Sequence, residues 1–170
     1  MTLAVPQFTP GTAPSQADLK WVMSSKPLAF FRQTSAQSGI VSGTGTVVTL
    51  GTSVLDRYGM KSGNQIRIGL ELGWYRVSGL VFFATQTGGT YRSASIALNG
   101  FDILGSAQYI SWTGLGSGPT SVNTGPLLVQ ATASSDYIEL KAQQDSGATM
   151  STYVSSPRAS QLFVEYVGTA

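Results

Sequence analysis

The sequence predicts an all-β chain folded as an antiparallel sandwich. Three observations carry that expectation. Hydrophobic residues make up 42% of the 170 positions and charged residues only 11%. Polarity therefore comes mostly from Ser, Thr, Asn, Gln and Gly, a mixture that suits turn-rich β-structure better than helices. From Leu28 onward, short apolar or alternating runs are separated by Gly, Asn-Gly and Ser-Gly punctuation. No helical repeat intervenes between those runs, which argues against an α/β fold.

The length fits one body with its own core plus a short appendage. Residues 1–27 are expected to form an N-terminal docking arm and residues 28–170 the β-body. Pro6, Pro10 and Pro14 exclude a helix over the first stretch. Ser15 then precedes Gln16-Ala17-Asp18, a capping hydroxyl ahead of a carboxylate, and predicts a short helix over Ser15 to Ser24. Leu19, Val22 and Met23 form its apolar stripe with Trp21 to one side, and so short a helix needs something to dock on. Phe8, Leu19, Trp21, Val22 and Met23 are the candidate docking residues.

In the body, strands are expected near Phe30–Thr34, Thr46–Leu50, Gln65–Leu70, Trp74–Thr85, Tyr91–Leu98, Tyr109–Thr113, Val122–Ala131, Tyr137–Gln144 and Leu162–Val167. Along Tyr75–Phe83 one face carries Tyr75, Val77, Gly79, Val81 and Phe83. The other carries Arg76, Ser78, Leu80 and Phe82 and turns apolar halfway. Such a strand starts solvated and ends covered by a neighbour or a subunit interface. Gly88-Gly89 and Asn99-Gly100 read as two-residue hairpin turns.

Composition also limits the chemistry. There is no His and no Cys, which removes the usual nucleophile–base pairs and the commonest metal ligands. Asp136, Glu139 and Asp145 are the carboxylates a hydrolase could use, but no spacing in the sequence places them in one cleft. They read as turn formers and strand ends. Asp56, Asp102, Asp136 and Asp145 could supply oxygen ligands to calcium, yet no loop has the dense acidic spacing of a dedicated site. No cofactor is expected. Net charge is +2 and the Arg and Lys residues are scattered, which speaks against nucleic acid as a partner. Met1 to Pro6 lacks a basic start and a continuous apolar stretch, so no export signal and no membrane insertion are expected.

Several segments resemble the C1q/tumour-necrosis-factor (TNF) jelly-roll domains found in phage and bacterial proteins. They are Gly73-Trp74-Tyr75-Arg76-Val77-Ser78-Gly79-Leu80-Val81-Phe82-Phe83, Tyr91-Arg92-Ser93-Ala94, Ile96-Ala97-Leu98-Asn99-Gly100, Ser135-Asp136-Tyr137-Ile138-Glu139-Leu140, Gln143-Gln144-Asp145-Ser146-Gly147 and Leu162-Phe163-Val164-Glu165-Tyr166. Leu55-Asp56-Arg57-Tyr58-Gly59-Met60 matches only in part. The resemblance spans about residues 28 to 168 and implies a homotrimer with an aromatic-rich seam, for which Phe82, Tyr109, Tyr137 and Phe163 are the candidates. The opening Phe8-Thr9-Pro10-Gly11-Thr12-Ala13-Pro14-Ser15-Gln16-Ala17-Asp18-Leu19 is similar to the start of minor tail and fibre proteins of actinobacteriophages, with Lys20 where Asn is common. Together these imply a non-enzymatic virion protein on a phage tail or capsid surface, attached to other virion proteins by its arm. Its role is expected to be a minor tail or fibre adhesin; the alternative is a decoration protein at threefold positions of the head. Trp112 and Leu115, beside the Gly-rich run Thr113–Pro119, are candidate ligand-loop residues for a host-surface glycan.

Overall fold

The computed structural model describes residues 27–69, 71–111 and 118–169. Phe8, Leu19, Trp21, Val22 and Met23, the helix expected over Ser15 to Ser24, and the loop residues Trp112 and Leu115 lie outside them. The described residues contain no helix. Their strands are β1 (Pro27–Arg32), β2 (Ser38–Ile40), β3 (Thr46–Val47), β4 (Thr52–Asp56), β5 (Lys61–Ser62), β6 (Gln65–Arg67) and β7 (Gly73–Phe83). There follow β8 (Tyr91–Leu98), β9 (Phe101–Asp102), β10 (Gln108–Ser111), β11 (Thr120–Ala131), β12 (Tyr137–Gln144), β13 (Met150–Ser151) and β14 (Gln161–Gly168).

Two antiparallel sheets face each other. One runs β11-β7-β14-β1-β4; the other runs β10-β8-β12-β6-β5, with β3 added to β12 and β9 to β8. β13 and β2 form a small separate pair. The strict alternation of β7 suits its place inside the first sheet, between β11 and β14. Tyr75, Val77, Gly79, Val81 and Phe83 are buried, while the intervening positions are partly or fully exposed. The inward set packs on the second sheet, where Ile96, Ile138, Leu140 and Ala142 are fully buried. Side chains of the second sheet reach over Gly79, where a Cβ would lie 2.5 Å from Leu140 Cδ1 and 3.1 Å from Ile96 Cδ1. A side chain there would have to displace the tips of Leu140 and Ile96 from their packed positions.

Two expectations are corrected. Gly88-Gly89 does not close a hairpin, although both residues have positive φ, at 95° and 79°. β7 already pairs with β11 on one side and β14 on the other. Its ladder has no vacant edge, so residues 84–90 cross to the second sheet to start β8. Arg76 and Arg92, whose strands follow one another in the sequence and were expected to be neighbours, therefore lie on different sheets. β4 was not expected from the pattern; it pairs with β1 at the edge of the first sheet, with Val54 exposed. Asn99-Gly100 does turn β8 into β9, with Asn99 at φ 52° and Gly100 at 84°, as a two-residue turn requires.

The registers define two ends. Pro27 pairs with Glu165, and Gly168 with Trp74, so the body begins and β14 finishes at one end, called here the arm end. Phe83, Tyr91, Ser111 and Thr120 bound the 84–90 and 112–119 connections at the opposite, loop end.

Candidate functional site

Among the described residues, the outer face of the five-stranded sheet carries a run of partly exposed apolar side chains. Adjacent strands pair Leu55 with Phe30, Phe30 with Phe163, Phe163 with Ser78 and Ser78 with Pro126, forming one row across the sheet. The next row toward the loop end carries Gln161, Leu80 and Asn123, and Phe82 lies beyond it. Phe30, Leu80, Phe82 and Phe163 are each only partly covered by the chain itself. A shallow depression among Phe30, Leu80, Asn123 and Phe163 opens on this face. Toward the arm end the face continues with Trp74, Leu128 and Val167, which are 38%, 56% and 41% exposed. Between the two halves Arg76 Nη1 donates to Glu165 Oε2 at 2.9 Å, a cross-strand pair that fixes register more than it stabilises.

The structure brings Phe82 and Phe163 to this one face. It places Tyr109 and Tyr137 on the outer face of the other sheet, on β10 and β12. Tyr109 is 61% exposed and stacks edge-on against Tyr91, with ring centroids 5.5 Å apart. Phe30, Leu80, Trp74 and Leu128 were not among the expected seam residues. The alternation of β7 signalled Leu80, whereas the contribution of β11 depends on a bulge between Asn123 and Pro126 that no local pattern reveals.

At the loop end a buried cation pins the crossing segment. Arg92 is 1% exposed, and its guanidinium donates to the carbonyls of Tyr91 (2.7 Å), Gln86 (3.4 Å) and Gly88 (3.0 Å). Asp145 lies 3.8 Å from Arg92 Nη1, too far for a hydrogen bond but close enough to balance charge. Burial pushes the Arg92 guanidinium below its usual range, and Asp145 opposes that shift. Asp145 itself accepts from the Thr90 and Tyr91 backbone and from Thr90 Oγ1. Partial burial pushes its carboxyl up, but these hydrogen bonds outweigh burial and hold it below the usual carboxylate range.

At the arm end Asp136 does similar work. Its oxygens accept from Asn99 Nδ2 (2.8 Å) and from the backbone of Thr132 (2.8 Å) and Ala133 (2.9 Å). The Asn99 bond foremost holds Asp136 below the usual range. Asp136 precedes β12 and Asp145 follows it, so the two stand at opposite ends of the body. That geometry does not assemble a two-carboxylate cleft. Burial pushes the Tyr75 phenol up to about 12, and its hydroxyl donates to Glu71 O at 2.6 Å, so it is a structural group. Asp102 reaches Lys141 at 3.3 Å. Among the described residues no group of three or more His, Cys, Asp or Glu is placed to hold a metal ion.

Comparison with known structures decides the fold. Murine APRIL at pH 8.0 superposes with a TM-score of 0.55 at 16% identity, covering 82% of this chain and 98% of that one. Eiger TNF from S. frugiperda gives 0.55 at 11% identity, over 84% and 92%. The body is a TNF-type jelly roll. PRD1 vertex protein P5 shares this jelly roll, with a TM-score of 0.54 and 14% identity over 84% of this chain and 99% of that one. No protein-family model and no curated protein sequence matches the chain.

Proposed function

We propose that this TNF-type jelly roll is a non-enzymatic structural protein of a bacteriophage particle. In this reading it works as a homotrimer, is attached to other virion proteins through residues 1–27, and serves as a minor tail or fibre adhesin. One observation carries the trimer. The outer face of the five-stranded sheet presents Phe30, Leu80, Phe82 and Phe163 in adjoining rows, each only partly covered by the described residues. Contiguous apolar surface of this kind is stabilised by burial against another copy. The adhesin reading is supported by polarity along the body: the arm enters at one end, and the 84–90 and 112–119 connections start from the other. A protein anchored by its arm would turn those connections outward, where a host-surface glycan could be met.

The likeness to a vertex protein favours a second reading, a decoration protein on the head surface. Light scattering of the full chain and of a version beginning at Pro27, the first residue paired in the sheet, tests assembly. Trimers from both are expected, and a monomeric full chain overturns the trimer. Glycan-array binding by the trimer supports the adhesin. Loss of head stability in particles lacking the protein supports decoration instead.

A further inference from the structure

Asn99-Gly100, at the arm-end tip between β8 and β9, is the single Asn-Gly pair in the sequence. An asparagine followed by glycine is chemically labile, because no Cβ shields the glycine nitrogen and its backbone turns freely. The Gly100 nitrogen attacks Asn99 Cγ and gives its proton to solvent, while the bond from Cγ to Nδ2 breaks and ammonia leaves. Water then opens the resulting five-membered imide to aspartate or isoaspartate. One water is consumed and one ammonia released, with no change in oxidation state.

The fold holds both polar atoms bound to Cγ. Asn99 Nδ2 donates to Asp136 Oδ1 at 2.8 Å, and Asn99 Oδ1 accepts from the Tyr137 backbone at 3.0 Å. The Asn99 backbone N–H donates to Tyr137 O at 2.9 Å, which ties the residue to the start of β12 a third time. Any rotation of the amide that brings Cγ onto the Gly100 nitrogen has to break these side-chain hydrogen bonds.

We propose that Asn99 is a spontaneous modification site, kept silent by its clasp to Asp136 and Tyr137, exposed by local opening of the turn, and unable to re-form the clasp once modified. The last part follows from charge. Deamidation replaces the donor facing Asp136 with a carboxylate, so two like charges meet where a hydrogen bond stood. An isoaspartate would in addition lengthen the backbone inside a two-residue turn. An opening that was reversible becomes permanent.

The test is peptide mapping by mass spectrometry, with isoaspartate detection, on the full chain incubated at mildly alkaline pH. Wild type, Asp136→Asn and Val81→Ala are compared in buffer and in concentrated urea; Val81 is a core residue remote from the turn. All three should modify at one common fast rate in urea. In buffer, wild type should be slow and Asp136→Asn faster by roughly tenfold or more, the factor expected when a charge-assisted hydrogen bond no longer opposes opening. Val81→Ala should stay near wild type. A native wild-type rate equal to that in urea overturns the proposal, as does an unmoved Asp136→Asn or a Val81→Ala that matches it. If Asp136→Asn does not fold, wild type decides: modification should rise with sub-denaturing urea in step with hydrogen exchange at the Tyr137 amide, and independence of the two overturns it. Asn99→Asp should melt below wild type, and an unchanged Tm removes the one-way step.

Discussion

On the five-stranded sheet the outward positions of β1, β7 and β14 carry Phe30, Leu80, Phe82 and Phe163. On the seven-stranded sheet the outward positions of β8, β10 and β12 carry Ser93, Ser95, Tyr109, Lys141 and Gln143. Both sheets bury their inner faces in the same core, so the contrast lies outside the requirements of folding. The first outer face gathers several groups that gain by leaving water, beside Gln161, Asn123 and the Arg76–Glu165 pair. The second mixes polar groups, some bonded at its surface such as Lys141 to Gly100 O at 2.7 Å, with the rings of Tyr91, Tyr109 and Tyr137. The difference teaches where to look for a partner copy and where to look for the interactions that hold loops in place.

The sharpest way to break this contrast is to charge each face in turn. Phe163→Asp should weaken association by roughly a hundredfold or more, because an unpaired carboxylate in an apolar contact costs several kcal/mol. Gln143→Asp on the other face should leave the solution mass unchanged. Light scattering across a dilution series reads both, and equal effects would erase the distinction between the faces.

Acid should sharpen the contrast next. Asp136 and Asp145 both have folded pKa values below the usual carboxylate range. Their contribution is therefore present above the unfolded carboxylate value of about 4 and is lost as pH falls through the lower folded values. Tm should fall over that window. Asp145→Asn should reduce part of this slope and cost about 1–3 kcal/mol at neutral pH, since the backbone of Thr90 and Tyr91 loses a charged acceptor. Chemical denaturation at several pH values measures both effects. The smallest effect is expected at Arg76→Ala, within about 1 kcal/mol, because its pair with Glu165 is solvent-facing. A larger loss in monomer stability would show that the pair does more than set register.

The long strands were legible because each carries its own pattern. β12 was expected over Tyr137–Gln144 and is found there, and β7 was expected over Trp74–Thr85 and runs Gly73–Phe83. Short strands such as β2 and β13 have no pattern of their own; they exist because a partner backbone passes at hydrogen-bonding distance. Gly88-Gly89 was misread for a related reason, since a turn's residues report its dihedral angles but not whether the preceding strand has a vacant edge. The apolar outer face was half visible: β7 announces Leu80 and Phe82, but the row through Leu55, Phe30 and Phe163 depends on pairing across strands distant in sequence. Arg92 was the least legible residue. Nothing local in Tyr91-Arg92-Ser93-Ala94 tells that the carbonyls of Gln86 and Gly88 fold over the guanidinium.

The antiparallel pairing of β1 with β14 also makes the body mechanically directional. Both strands meet the arm end, Pro27 at the start of one and Gly168 at the finish of the other. A pull that separates those two termini would unzip the ladder one rung at a time. A pull between the arm and the loop end instead loads β1 lengthwise, in shear against β14 and β4 together, so that many backbone hydrogen bonds lying across the strands must fail at once. The same fold is thus compliant to prying at its base and stiff along its axis.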